Sequence, residues 1–156
     1  MKITLLAVGS KMPQWVQQGV DEYAKRIEHE LGFSIIEIPL AKRSKTQSVE
    51  QMMQKEGAAL LGKVPKGDHL VALEVGGKKL STSDLATRLQ VLNDDGRNLS
   101  LLIGGPDGLA STCRQQAVES WSLSSLTLPH PLVRVLLTEQ LYRAWSVVKG
   151  HPYHRE

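Results

Sequence analysis

The carboxyl terminus of the chain concentrates side chains that could do chemistry. It reads "GHPYHRE" (150–156) and contains two histidines, a tyrosine, an arginine and a glutamate. A histidine with an ordinary pKa of about 6.5 can accept or release a proton near neutral pH, and a tyrosine ring can stack on a nucleobase. His151 and His154 have a spacing that metal ligands can have, but no cysteine or carboxylate cluster accompanies them, so we expect no metal site. Because chain ends usually tolerate change, position alone argues for an expendable tail.

A glycine-rich segment is the second candidate for a functional site. After the apolar run "SLLI" the chain reads "GGPDG" (104–108), with three glycines in five positions. Glycine permits a positive φ and lets a backbone approach a ligand closely. The segment matches neither the dinucleotide-binding fingerprint nor a P-loop. An ordinary turn explains such a segment more often than a cofactor pocket does, so the residue pattern leaves both open.

A histidine between two prolines is the third candidate. In "SLTLPHPLVRVL" Pro129 and Pro131 flank His130, and Pro131 suits the first position of a helix. Such a helix presents unpaired N–H groups and its positive end next to a strand terminus. Two interpretations of this segment carry equal weight. It is either a stiff connection between strand and helix, or a preformed wall of backbone donors and acceptors for a ligand. We interpret His130 as structural.

The helix that follows combines a charged pair with a broad apolar surface. Glu139 and Arg143 are an i,i+4 pair in the favourable order, so a surface ion pair is the first interpretation. Apolar side chains cover more than half of the helix circumference, which is wider than the stripe needed over one sheet. We therefore predict burial on two sides, against the protein's own sheet and against a partner such as a second copy of the chain.

The elements that must position these residues alternate between strands and helices. Apolar runs predict strands at 2–8, 33–38, 69–75, 98–105 and 122–128, and helical periodicity predicts helices at 13–31, 48–61, 81–92, about 110–119 and 131–149. Capping-box spacing supports the starts of two of these helices, with the pairs Ser48/Gln51 and Ser81/Asp84. Alternating elements with largely apolar strands favour an α/β fold with a mainly parallel sheet covered on both faces. No linker or repeat is evident, so residues 1–156 are expected to form a single domain.

Composition excludes several classes of protein. The 156 residues are 41% hydrophobic and 22% charged, as in ordinary globular proteins. No apolar run approaches the roughly 20 residues that span a bilayer, and the initial "MKITLLAV" is better explained by a first strand than by a signal peptide. Cys113 is the only cysteine, which excludes an intrachain disulfide and a thiolate zinc site. We expect a cytoplasmic protein with no membrane partner.

Basic residues cluster at two places in a chain of net charge +3. Lys42, Arg43 and Lys45 lie close together, and Lys78 and Lys79 follow a glycine pair. A solvated loop is the ordinary interpretation of such runs. Contact with nucleic acid is the alternative.

Three segments together resemble one known family. The segments "LLIGGPDGL", "SLSSLTLPHPLVRVLLTEQLYRAWS" and the terminal "HPYHRE" are similar to those of the large-subunit ribosomal RNA pseudouridine N3-methyltransferases, in the SPOUT methyltransferase superfamily. The resemblance runs from "AVGSKMPQWV" to the last residue. Asp107 stands where relatives often have glutamate, a departure that affects no residue assigned below.

The resemblance implies a fold, a cofactor and partners. The family has a carboxyl-terminal trefoil knot, works as a homodimer and uses S-adenosyl-L-methionine. Its substrate is a pseudouridine in the helix 69 stem-loop of 23S rRNA, recognised in the assembled ribosome. The positions that match the family's cofactor pocket are Leu73, Gly104, Leu123, Ser124, Ser125, Leu126, Thr127 and Leu128.

Methylation of an imide nitrogen requires that its proton leave as the methyl group arrives. The methyl donor is already activated, so the protein must hold the nitrogen in line, accept a proton and stabilise charge on the neighbouring oxygens. We predict that Arg143 and Arg155 balance charge or grip phosphate, that His154 accepts the proton and that Tyr153 contacts the base. Glu139 is expected to orient Arg143. An RNA-docking role for the tail remains open.

Two alternative functions remain open. One is a non-catalytic ribosome-binding or RNA-binding factor on the same scaffold, which would need no methyl donor. The other is a small nucleotide-binding enzyme of flavodoxin-like shape, against which the lack of a phosphate-binding loop after the first strand counts.

Overall fold

A computed structural model describes residues 1–42 and 44–154, with His154 described by its backbone alone. Five strands and five helices alternate along these described residues. The strands are β1 (Lys2–Val8), β2 (Gly32–Ile38), β3 (His69–Lys79), β4 (Leu99–Ile103) and β5 (Glu119–Ser122). The helices are α1 (Gln14–Ile27), α2 (Val49–Gly62), α3 (Thr82–Asp94), α4 (Ser111–Gln116) and α5 (His130–Lys149), followed by a 3₁₀ turn at Pro152–His154. The predicted residues Arg43 and Arg155, and the side chain of His154, lie outside this description.

The strands form one parallel sheet between two layers of helices. Their order is β2-β1-β4-β3-β5, and each neighbouring pair is parallel. One core cluster joins Ile3, Leu5 and Ala7 of β1 to α1, α3 and α5, and a second joins Leu6 and Val8 to α2 and α4. Every residue of β4 is buried, as a strand covered on both faces requires. The predicted α/β fold with a parallel sheet is confirmed.

Both predicted capping boxes are present. Ser48 Oγ accepts a hydrogen bond from the Gln51 amide while the Gln51 side chain accepts one from Ser48 N. Ser81 and Asp84 make the same reciprocal pair at the start of α3. Each box satisfies two amides that the first helical turn leaves unpaired.

The predicted strand at 122–128 is wrong. Strand β5 ends at Ser122, and the residues after it form a loop. Ser122 Oγ donates to the carbonyl of Ser124 at 2.9 Å, and Ser124 Oγ accepts from the amide of Leu126 at 3.0 Å. Serine side chains thus bind nearby backbone groups in place of a neighbouring strand. Because it forms no strand, the segment 123–129 can line a cavity.

Strand β3 is longer than predicted and irregular where it passes β5. Its register shifts between Leu73 and Lys78, so Trp121 pairs with both of these residues. A side chain at Gly77 could not be accommodated, because its Cβ would lie 2.7 Å from the carbonyl carbon of Trp121. The irregularity leaves residues 74–77 outside the regular pairing of β3 with β5.

Helix α5 packs between α1 and α3 on one face of the sheet. Side chains of the same chain therefore bury much of the broad apolar surface that the sequence showed. Leu136 of α5 remains 36% exposed. After Gly150, whose φ of 70° ends the helix in the left-handed region, the 3₁₀ turn folds back onto α5.

None of the helices described here combines the length and apolar character needed to cross a bilayer.

Candidate active site

A cavity of about 460 Å³ lies at the carboxyl ends of β3, β4 and β5. This edge is where ligands bind in open α/β sheets, and the volume is typical of small-molecule sites. Seven of the eight predicted cofactor-binding residues line it, namely Leu73, Gly104, Leu123, Ser124, Leu126, Thr127 and Leu128. The eighth, Ser125, is exposed in the same loop. The tertiary structure thus brings together residues that lie as far apart in sequence as 73 and 128.

The first wall of the cavity is the glycine turn, residues 104–108. It is closed by an isolated bridge between Gly105 and Gly108, with the Gly108 amide 3.0 Å from the Gly105 carbonyl. Gly108 has a φ of 89°, which favours glycine. A Cβ on Gly104 would lie 2.4 Å from the carbonyl carbon of Gly108. The turn therefore needs glycine at 104 for its own closure.

The second wall is the loop 123–128, which presents leucine side chains and backbone groups. Leu123 and Leu128 are half-buried, whereas Leu126 is 71% exposed at the cavity. Leu73 and Ile103 add apolar surface from the sheet edge. Apolar surface beside backbone donors and acceptors suits a flat heterocycle that is bound by its faces and edges.

Two charged residues that the sequence analysis missed also line the cavity. Glu74 Oε2 lies 3.3 Å from Arg114 Nε, and Arg114 Nη2 donates to the Leu109 carbonyl at 2.8 Å. The Glu74 side chain is 27% exposed. An acidic residue directly after the buried run 69–73 was the available signal, because carboxyl ends of parallel strands face the ligand edge.

His130 also contacts the cavity, at the first residue of α5. Its Nδ1 lies 2.9 Å from the Gly104 carbonyl oxygen, and Arg134 Nε lies 2.8 Å from its Nε2. Burial lowers the pKa of His130, the bond to Gly104 opposes this effect, and Arg134 adds to the lowering. The ring is therefore neutral at neutral pH.

The predicted catalytic residues Arg143 and Tyr153 form a separate polar cluster. Glu139 Oε1 accepts from Arg143 Nε at 2.9 Å and from Tyr153 OH at 3.1 Å. The Arg143 guanidinium lies 5.0 Å from the centre of the Tyr153 ring, within cation–π distance. The side chains of Glu139 and Arg143 are 14% and 28% exposed, so the pair is more buried than a surface ion pair. Glu139 orients Arg143 as expected.

This polar cluster is distant from the cavity of the same chain. Val133 lines the cavity, and Arg143 follows it by ten residues of α5, about 15 Å along the axis. Tyr153 packs on Tyr142, with ring centres 4.3 Å apart, at that same far end. The structure therefore does not bring Arg143 and Tyr153 to the cavity within one chain, and their catalytic role stays a prediction.

Across the described residues, no group of three or more histidine, cysteine or acidic side chains is placed to hold a metal ion.

A parallel α/β sheet with a glycine-walled cavity at its strand ends has the architecture in which open α/β sheets bind small organic ligands. The family described as "Predicted SPOUT methyltransferase" matches residues 1–154. The chain belongs to this family and is a methyltransferase of the SPOUT class. The carboxyl-terminal trefoil knot is implied by that membership.

Two solved structures share the fold. A protein from Bordetella pertussis Tohama I, described as a probable methyltransferase, has a TM-score of 0.56 at 14% identity, covering 91% of this chain and 95% of that one. A protein from Neisseria gonorrhoeae described as a "putative methylase family protein" has a TM-score of 0.53 at 10% identity, covering 90% of this chain and 81% of that one. At these identities the likeness shows the fold alone.

Proposed function

We propose that this protein uses S-adenosyl-L-methionine to methylate N3 of a pseudouridine in the helix 69 stem-loop of 23S rRNA. It acts on the assembled ribosome, as a homodimer, in the cytoplasm. The observation that carries the proposal is the cavity between the glycine turn and the loop 123–128, in a chain of the SPOUT methyltransferase family. The resemblance of the terminal segment supports the choice of substrate.

The cavity fits this cofactor in size and in chemistry. Leucine side chains of the loop 123–128 and of the sheet edge would hold the adenine, and backbone groups of the same loop would bind its edge. Glu74 would accept hydrogen bonds from hydroxyl or ammonium groups. The glycine turn brings bare backbone to the cavity wall, because position 104 has no room for a side chain. When bound, the cofactor supplies a methyl group activated by a sulfonium centre.

Residues of this chain must accept the proton that leaves the nitrogen and stabilise the charge that develops on the neighbouring oxygens. Arg143 is held by Glu139, so its orientation is set before substrate arrives. Burial first, and Glu139 second, raise the pKa of Tyr153, so the phenol stays protonated and can donate a hydrogen bond. We assign the stabilisation of developing charge to Arg143 and a contact to the base to Tyr153. His154 remains the predicted proton acceptor and Arg155 a predicted charge or phosphate contact, both outside the described side chains.

The distance between the cavity and the polar cluster supports an active site shared by two copies. Within one chain the two parts are separated along α5, whereas methyl transfer requires them to meet around one nitrogen. A homodimer can supply the cavity from one protomer and the polar cluster from the other. Leu136, exposed on α5 between the two parts, belongs to the surface expected to be covered.

Exposed lysines supply the electrostatic attraction for RNA. Lys42, Lys45, Lys78 and Lys79 are all exposed, and their side chains can contact phosphates without reading sequence. Selection of one pseudouridine would then come from the shape of the assembled ribosome and from the active site.

The test is methyl transfer from labelled cofactor to assembled ribosomes, isolated subunits and naked rRNA, followed by mass spectrometry of the methylated nucleoside. We expect transfer to assembled ribosomes, with label on N3 of one pseudouridine in 23S rRNA. Label on another nucleoside would refute the substrate. Absence of cofactor binding by calorimetry at millimolar concentration, with ribosome binding retained, would instead favour a non-catalytic RNA-binding factor.

A further inference from the structure

A buried guanidinium connects three elements next to the cavity. Arg134 is only 3% exposed, and its nitrogens reach Gly9 directly after β1, Glu37 of β2 and His130 of α5. Nη2 donates to the Gly9 carbonyl at 2.8 Å, and Nη1 donates to Glu37 Oε2 at 2.7 Å. Gly9 has a φ of 119°, a conformation that directs its carbonyl at little cost only in glycine. Arg134 thus has a fixed position, because each contact restrains a planar group.

The third bond of Arg134 determines which nitrogen of His130 carries the proton. Arg134 Nε can only donate, so Nε2 of His130 must accept at 2.8 Å. The ring proton therefore lies on Nδ1, which donates to the Gly104 carbonyl at 2.9 Å. A neutral ring with this one tautomer satisfies both contacts.

We propose that His130 and Arg134 are positioning residues for the cofactor cavity. Arg134 holds His130 in its neutral form with the proton on Nδ1, and His130 in turn holds the Gly104 carbonyl and the glycine turn that walls the cavity. The proposal rests on the proposed function in one respect, that the ligand of the cavity is S-adenosylmethionine. Neither residue needs to contact the reacting atoms.

Protonation of His130 would disrupt this arrangement. A proton on Nε2 would place a second donor against Arg134 Nε and a second positive charge beside the guanidinium. The groups that face the ring are Arg134 on α5 and the Gly104 carbonyl of the glycine turn, and Glu37 on β2 acts through its bond to Arg134. Repulsion from Arg134 displaces the ring, so the Gly104 carbonyl loses its donor at low pH.

Three substitutions at position 130 separate the two hydrogen bonds. In His130→Asn the amide nitrogen can take the place of Nδ1 and donate to Gly104. In His130→Gln the amide oxygen can take the place of Nε2 and accept from Arg134, while the donor to Gly104 is lost. His130→Ala removes both. His29→Asn, at a histidine whose side chain is 88% exposed, is the matched control.

Calorimetric titration with S-adenosylmethionine gives the first readout. We expect His130→Ala and His130→Gln to bind the cofactor about tenfold more weakly than the wild type, a loss within the range for one neutral hydrogen bond. The affinity of His130→Asn should stay within about threefold of the wild-type value. Wild-type affinity should fall as the pH is lowered through the pKa of His130, which burial holds below the ordinary histidine value of about 6.5, and His130→Asn should lose that dependence. Equal affinities in all variants, or equal loss in His130→Asn and His130→Ala, would overturn the proposal.

A second readout needs no cofactor. Nitrogen NMR of the wild-type protein should show a neutral His130 protonated on Nδ1, and amide exchange at Gly108 should accelerate in His130→Ala but not in His130→Asn. If the wild type binds no cofactor while both observations hold, the proposed function fails and the positioning role stands. A His130 protonated on Nε2, or unchanged exchange at Gly108 in His130→Ala, would refute the positioning role by itself.

Discussion

Glu74 and Arg114 form an ion pair at the wall of the cavity, with Oε2 of the first 3.3 Å from Nε of the second. Both side chains line the space in which the methyl donor is proposed to bind. S-adenosylmethionine carries a sulfonium and an ammonium group, whereas the product after methyl loss has lost the sulfonium charge. A carboxylate at this wall would therefore favour the charged donor over the spent product.

Replacing Glu74 by glutamine should weaken binding of S-adenosylmethionine. The substitution keeps the shape and removes the charge, so we expect a loss of about 3- to 30-fold, within the range for a hydrogen bond to a charged group. The loss should be larger for S-adenosylmethionine than for S-adenosylhomocysteine, measured by calorimetry. Glu28→Gln, at an exposed carboxylate on another part of the surface, is the matched control. Unchanged affinity for both ligands would remove Glu74 from the cofactor site.

Replacing Gly104 by alanine should destabilise the protein as well as impair binding. The added methyl group meets the backbone of Gly108 and Leu109 at 2.4–2.6 Å, so the turn must open. We expect the free energy of unfolding to fall by about 1–3 kcal/mol, the usual cost of overpacking, with a matching loss of cofactor affinity. Urea unfolding and calorimetry measure the two effects.

Gly62→Ala is the control for that substitution. Gly62 ends α2, a Cβ added there would meet no atom within 4 Å, and its φ is not positive. Alanine there should be neutral or stabilising by up to about 1 kcal/mol. If Gly104→Ala were as stable as Gly62→Ala, the glycine turn could not be closed by the contacts of Gly104 with Gly108 and Leu109.

Mixed dimers should show whether the active site is shared. Arg143→Ala removes the polar cluster's guanidinium and should abolish turnover while cofactor affinity remains. Val133→Trp fills the cavity and should abolish cofactor binding. A dimer that contains one chain of each kind, isolated with two different affinity tags, should regain about half of wild-type activity, because one of its two shared sites then carries neither change. Activity no higher than that of the parents would show that each chain uses its own Arg143.

Stability at acid pH should depend on Glu119. Burial raises the pKa of its carboxyl group, but hydrogen bonds from Arg88, Trp121 and His69 outweigh burial and leave the pKa below its ordinary value of 4.5. A carboxylate with a lowered folded-state pKa stabilises the protein fully above the unfolded-state pKa, and this stabilisation is lost as the pH falls through the folded-state pKa. The urea midpoint should therefore decline below about pH 4.5.

In Glu119→Gln that decline should be shallower, and stability at pH 7 should be lower by about 1–3 kcal/mol because a charged acceptor is lost. Glu28→Gln serves again as the control, since its carboxylate is exposed. Parallel pH profiles for wild type and Glu119→Gln would contradict this role of the Glu119 carboxylate.

The sequence predicted the strands whose two faces are both buried. β1 and β4 are buried on both faces, so their apolar runs are continuous and their positions were predicted within two residues. The capping boxes were predictable because both partners lie three residues apart. The predicted strand at 122–128 failed because an apolar, hydroxyl-rich run can also form a loop when serines bind their own neighbours.

The sequence by itself determined the fold class and, through resemblance, the family and the two segments expected to wall the cavity. Only the tertiary structure showed which charged residues line or support the cavity walls. Arg134 binds Glu37 and Gly9, which are 97 and 125 positions away along the chain. Helical periodicity places an arginine in an apolar helix without indicating a partner, because such contacts depend on how elements dock. For the same reason only the structure showed that Arg143 and the cavity lie at different ends of α5.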